Sequence, residues 1–174
     1  MSQMNQETFK ETVFVLKDKM YRFAKSILTD EDEAHDLVQE LLMKFWQKRD
    51  ELISVGNLEA FAMRCVRNDA MNKLKHTKVV QLYHNNLSEA VVDERYPSLT
   101  KELIQRLIAA LPEKQKLVMH LRDIEDYDIA EIGETIGMEE SAVRVNLMRA
   151  RQKVKGQLQK IFDYEKRQIN KNRG

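Results

Sequence analysis

Two prolines and five glycines in 174 residues leave little material for the tight turns of a sheet protein, so helices should dominate. A single cysteine, Cys65, excludes an internal disulfide framework. The four histidines, His35, His76, His84 and His120, show no ligand-like spacing with it or with one another, so neither a metal site nor a cofactor is expected. Cys65 lies among apolar residues at helical spacing, which favours packing over a redox role. No apolar run approaches the roughly 18 residues of a membrane span, and the stretch from Met1 to Phe9 is too polar for a secretory signal. Membrane insertion is therefore not expected, and the cytoplasm is the default compartment. There is no glycine-rich phosphate loop, no nucleophile paired with a base and no carboxylate cluster in a plausible pocket, which makes an enzyme the least favoured class.

What is present is 43% hydrophobic and 33% charged residues, with a mean hydropathy of −0.57: enough for a core beneath heavily solvated faces. The net charge of +1 conceals a strong alternation along the chain. Acids crowd between Asp30 and Glu40, whereas Arg64, Arg67, Lys73, Lys75 and Lys78 stand against Asp69 alone. Acids prevail again from Asp123 to Glu140, and from Arg144 onward the chain is basic.

Hydrophobic periodicity predicts three helices in the first half, over residues 6–28, 31–49 and 58–75. Asp30 with Glu33 three residues later is a capping-box-like start. Ala34, Leu37, Val38, Leu41, Leu42 and Phe45 then form a core stripe. Periodicity fades between His76 and Ser98, which reads as an interdomain linker. The organisation expected is all-α, with two small helical domains at 1–75 and 99–160, a linker at 76–98 and a basic tail at 161–174.

In the second half Pro112 suits the first turn of a helix running to about Ile124. A shorter helix over 128–136 should end at a Gly137 turn, with Gly133 as the small residue where the two helices cross closely, and a long one should start near Glu139. With Ile129, Ile132 and Ile136 facing Val143, Leu147, Ala150 and Val154, the pair forms a helix-turn-helix. Its outward face carries Arg144, Met148, Arg151 and Lys155, flanked by Asn146 and Arg149. Arginine can grip a guanine edge or a phosphate bidentately, so this is a recognition-helix surface. Glu139 and Glu140 suit the helix N-terminus but would repel an approaching phosphate. Asp123 and Asp126 read as solvated helix-end charges.

Taken together, Leu111-Pro112-Glu113-Lys114-Gln115, the stretch from His120 to Glu125 and the run from Ser141 to Arg151 resemble region four of the extracytoplasmic-function (ECF) sigma factors of the sigma-70 family. The first half agrees. The stretch from Tyr21 to Lys25, that from Asp36 to Glu40, Phe45-Trp46 and the stretch from Asn57 to Phe61 resemble region two, in the family's order.

The resemblance implies a non-enzymatic protein that joins core RNA polymerase, directs it to promoter DNA and helps melt the start site. It implies that Asp36, Gln39 and Glu40 dock on the clamp helices of the beta-prime subunit. Asn68 matches the position that reads an extruded base of the minus-ten element, with Arg64, Arg67, Lys75 and, less centrally, Asn72 along the same face. Arg144, Met148, Arg149 and Arg151 would meet the minus-thirty-five duplex, with Arg122 on its backbone; Met148 offers a thymine methyl contact, leaving part of the specificity to DNA shape. An anti-sigma factor that clamps the two domains is the expected regulator.

Three departures from the family pattern bear on these roles. The third helix lacks a row of aromatics for stacking, so melting power should be modest. Glu139 stands where serine or threonine usually makes a phosphate contact, and Gly133 in place of a more usual alanine should merely soften its helix, by about 1 kcal/mol. Two other readings remain open: a one-component regulator binding operator DNA through the helix-turn-helix, and a helical adaptor that binds only proteins. The first predicts DNA binding without polymerase, and the second predicts no salt-sensitive DNA binding.

Overall fold

The computed structural model describes residues 3–28, 30–83 and 99–171, among which no strand occurs. The first half comprises α1 (Gln6–Thr12), α2 (Lys17–Leu28), α3 (Glu31–Gln47), a short α4 (Arg49–Leu52) and α5 (Leu58–Tyr83). The second comprises α6 (Leu99–Ala109), α7 (Glu113–Met119), α8 (Ile129–Ile136) and α9 (Glu140–Lys171). Two small helical units thus follow one another. The stretch between them read as linker begins inside α5, which runs on to Tyr83; residues 84–98 lie outside the described residues.

Local chemistry explains most of the boundaries. Asp30 caps α3 by accepting from the Glu33 amide at 2.8 Å, and the acids of that first turn complement the helix dipole. All six residues of the predicted α3 stripe are buried. The helix expected over 6–28 is instead broken by a single 3-10 turn at Phe14–Leu16. Thr12, Val13 and Val15 are β-branched, and such a run lowers helix propensity where the side chains lie outside the core; Val15 is exposed. Asn57 caps α5 through the Ala60 amide at 3.0 Å. The α5 arc buries Ala62, Met63, Val66 and Ala70 against α2 and α3.

The helix expected to reach Ile124 changes character at Met119 and continues as one π-helical turn, His120–Ile124. Asp126 then takes a left-handed conformation (φ 59°), one that aspartate tolerates better than most residues. Tyr127 folds back so that its amide meets the Leu121 carbonyl at 2.9 Å. A full capping box starts α8: the Glu131 amide donates to Asp128 and the Asp128 amide to the Glu131 carboxylate, at 2.8 and 2.7 Å.

Gly137 ends α8 with φ 67°. Gly133 does more than soften the helix: a Cβ there would lie 2.6 Å from the Met138 carbonyl oxygen, where the chain doubles back into α9. That correction reverses the sign of a substitution. Gly133→Ala, which propensity alone would favour, should destabilise the protein by about 1–3 kcal/mol, read as a lower denaturant midpoint at unchanged slope. A higher midpoint would show that the turn relaxes freely.

Val143, Leu147, Ala150 and Val154 are buried along α9, the last two beside Ile108, Leu111 and Met119. The remaining core is continuous from Phe9 and Phe23 in the first half to Leu121, Ile132 and Val143 in the second. The halves are in direct contact, α2 meeting α7 and the π turn, and α5 meeting α8.

Candidate nucleic-acid interface

Three exposed polar faces emerge, each on a helix whose opposite side is anchored in the core. On α3, burial of Leu37, Val38 and Leu41 turns Asp36, Gln39 and Glu40 outward into one acidic patch. Met43, one turn further along, is 63% exposed and adds an apolar contact beside the carboxylates. Met43 falls outside the core stripe read from the sequence, which assigned it no role.

On α5, Arg64, Asn68, Asn72 and Lys75 are exposed and recur at four and three residues, forming one stripe. Asp69, the acid of this stretch, is paired with Lys44 of α3 at 3.3 Å, which leaves the stripe basic. Arg67 stands apart from it. Half-buried, Arg67 donates to the Asn68 side-chain oxygen at 3.4 Å and so orients the amide more than it presents a charge. Phe61 packs on Phe45 with ring centroids 5.7 Å apart and faces the core. Half-buried Cys65 also packs there, and burial raises its thiol above the ordinary value.

On α9, Arg144, Met148, Arg151 and Lys155 line a shallow groove with Leu147 and Gln152. Charges here are unequally free. Arg144 is paired with Glu140 one turn back at 2.9 Å. Arg151 donates to both oxygens of Asp123, at 3.2 and 2.5 Å, so Asp123 is a paired group and not a merely solvated helix-end charge. Half-buried Arg122 donates to the Tyr127 carbonyl at 2.7 Å. Arg149 and Lys155 are exposed and have no ion-pair partner among the described residues, which leaves Arg149 the arginine of this set readiest for a phosphate or a base.

A fourth cluster lies between the two units; Arg22, Glu59, His120 and Glu125 stand in stretches that carry the family resemblance, but nothing in the sequence paired them. The Arg22 guanidinium donates twice to Glu125, both bonds 2.8 Å, and Glu125 is almost wholly buried beside His120 at 3.5 Å. The Tyr127 hydroxyl donates to Glu59 at 2.5 Å, Lys19 donates to the same carboxylate at 2.7 Å, and its ammonium sits 5.1 Å from the centre of the Tyr127 ring. The His120 ring stacks on Phe23. Burial alone would raise the Glu125 carboxyl, but the two bonds from Arg22 and the nearby His120 ring outweigh it and bring it down to about 2. Burial and the bond to Glu59 both push the Tyr127 phenol upward.

Because the folded value of Glu125 lies below the ordinary 4.5, the stability it contributes is complete above that pH and is lost as pH falls toward about 2. The stability gap between wild type and Glu125→Gln, measured from denaturant midpoints, should therefore close over that window. A gap unchanged by acid would show that the carboxylate is not the group responsible.

Among the described residues no group of histidine, cysteine and carboxylate side chains could hold a metal ion, and no helix is long and apolar enough to cross a membrane.

Comparison with known proteins matches residues 15–79 to Sigma-70 region 2 and residues 101–154 to Sigma-70, region 4. The chain is 23% identical over 173 residues to the ECF RNA polymerase sigma factor SigW of Bacillus subtilis, covering 90% of this chain and 92% of that protein. It is 24% identical over 152 residues to the RNA polymerase sigma-E factor of Streptomyces avermitilis, covering 87% and 85%. Among solved structures, the sigma factor RpoE in complex with the anti-sigma factor NepR from Bartonella quintana superposes with a TM-score of 0.73 at 24% identity, covering 88% of this chain and 98% of that one. CnrH in complex with the cytosolic domain of CnrY gives 0.67 at 21% identity, covering 89% and 90%. These two likenesses concern the fold.

Proposed function

This chain belongs to the sigma-70 family as an ECF sigma factor, a non-enzymatic transcription initiation factor, and from that premise we propose how it divides the work of initiation. The acidic face of α3, with Asp36, Gln39 and Glu40, docks on the beta-prime clamp helices of core RNA polymerase. The stripe of Arg64, Asn68, Asn72 and Lys75 on α5 takes the minus-ten element as separated strand, with Asn68 on an extruded base, Arg67 orienting its amide and the cations on the backbone. Residues 1–75 thus carry the polymerase and minus-ten contacts, and residues 99–160 the minus-thirty-five contacts.

In that second unit Arg149 and Arg144 meet base edges or phosphates, Met148 meets an apolar base edge, and Arg151 and Arg122 support the backbone contact. The observation that carries this reading is the coexistence, in one chain and in the family's order, of an exposed acidic face and two exposed basic faces, each backed by buried core. One neighbouring structure holds the sigma factor RpoE with the anti-sigma factor NepR. An anti-sigma partner is accordingly the regulator we assign to this chain, which acts in the cytoplasm where the polymerase is.

A mobility-shift experiment separates this reading from its rivals. Core polymerase plus this protein should retain a promoter fragment that neither retains alone. Retention by the protein alone at moderate salt would identify an operator-binding regulator, and no retention under any condition would identify an adaptor.

A further inference from the structure

The outward face of α9 carries its cations in two kinds of setting, and we propose that Asp123 and Glu140 are specificity-determining residues. They hold Arg151 and Arg144 back from phosphates in general and leave them to donate only where the promoter duplex fits. The proposal rests on the sigma reading above and concerns the second unit alone.

Arg149 and Lys155 are exposed and have no ion-pair partner among the described residues. The side chains of Arg144 and Arg151 are 60% and 52% exposed, yet each is tied to a carboxylate. Arg144 gives one bond of 2.9 Å to Glu140, and Arg151 gives two to Asp123, of 3.2 and 2.5 Å. Glu139, exposed beside Glu140, adds a third acid at the same end of α9. Pairs this open to water contribute little to folding, so stability does not explain why both sit on the reading face.

A guanidinium offers five N–H donors. Glu140 takes up Nη2 of Arg144 and leaves Nε and Nη1, whereas Asp123 takes up Nε and Nη2 of Arg151 and leaves Nη1. Each arginine therefore keeps donors to spare while its charge is cancelled.

That combination separates register from attraction. A lone cation draws any phosphate within a screening length, about 8 Å at physiological salt. An ion pair carries no net charge, and its remaining donors act only at bonding distance and in one orientation. On a random duplex, moving Arg144 onto a phosphate exchanges one anion for another and leaves Glu140 facing the backbone, where like charges repel. In register with the minus-thirty-five element, Arg144 donates its remaining groups to a base edge and Arg151 to one backbone oxygen, with both carboxylates still in place. Arg149 and Lys155 supply the attraction, and the paired arginines supply the discrimination.

The test uses the full chain. Free protein is titrated against a random-sequence duplex at several salt concentrations. Its complex with core polymerase is titrated against a dependent promoter and against the same fragment with the minus-thirty-five element scrambled. Asp123→Asn with Glu140→Gln should tighten binding to the random duplex by about 10-fold or more at low salt and steepen the salt dependence by about two counterions. The preference of the polymerase complex for the intact promoter should fall by about 5-fold or more. Glu113→Gln with Glu165→Gln changes the net charge equally, at exposed acids off the reading face, and should do neither.

Equal effects from the two double variants would overturn the proposal, because the acids would then act only through net charge. Unchanged or weakened binding of the Asp123→Asn, Glu140→Gln protein to the random duplex would overturn it too, and so would an unchanged promoter preference, all leaving the sigma reading intact. No promoter retained by the wild-type complex would overturn the sigma reading itself, and the proposal with it.

Discussion

Replacing Asp36 and Glu40 together by lysine should lower the affinity for core RNA polymerase by about 100-fold or more, measured by titration of labelled protein, while the helical content and denaturant midpoint stay near wild type. The size of the effect follows from where the charges lie. Both carboxylates are exposed on α3, so reversing them disturbs no buried contact. A surface complementary to acids must then accept two cations, and like charges brought together cost several kcal/mol. The neighbouring Met43, 63% exposed, supplies apolar area to the same contact, and Met43→Ala should weaken binding by a smaller factor. Unchanged affinity in the double variant would move the polymerase contact off α3.

The second large effect is expected at the DNA. Asn68→Ala should reduce starts from a dependent promoter by about 10- to 100-fold at unchanged polymerase affinity, because its amide can both donate to and accept from a base and, unlike that of Asn72, is oriented by Arg67. Arg149→Ala should act differently. It removes the unpaired arginine of the α9 face, so binding should weaken by about 1–3 kcal/mol and the salt dependence should become shallower by about one counterion. Arg144 and Arg151 must share any phosphate with Glu140 and Asp123, and their alanine variants should cost less. A ranking with Arg151 above Arg149 would show that Asp123 positions its partner for DNA and does not compete with it.

Most of the helical frame was legible in the sequence because it rests on short-range rules. The α3 stripe repeats at 3.6 residues, the Pro112 start and the Gly137 turn mark boundaries by backbone chemistry, and the inward residues of α9 recur at three and four. Local reading failed where geometry depends on distant partners. The close crossing at Gly133 was legible, but the cost of filling it was not, because that is set by the Met138 carbonyl, which a propensity scale does not contain. The Arg22–Glu125 pair joins residues 103 apart in sequence, and neither belongs to a periodic pattern that would betray it. The Arg151 pairing was invisible for the same reason, since Asp123 lies 28 residues away, whereas the Arg144–Glu140 pair at i,i+4 is one that helical spacing permits.

Run-off transcription from a genomic-fragment library with purified core RNA polymerase, with and without this protein, tests the central claim most directly. The account predicts starts that appear only when the protein is present, share a minus-ten and a minus-thirty-five element, and fade in both Asn68→Ala and Arg149→Ala. A library on which the wild-type protein adds no start to those of core polymerase alone, while remaining folded and binding duplex DNA, would contradict it.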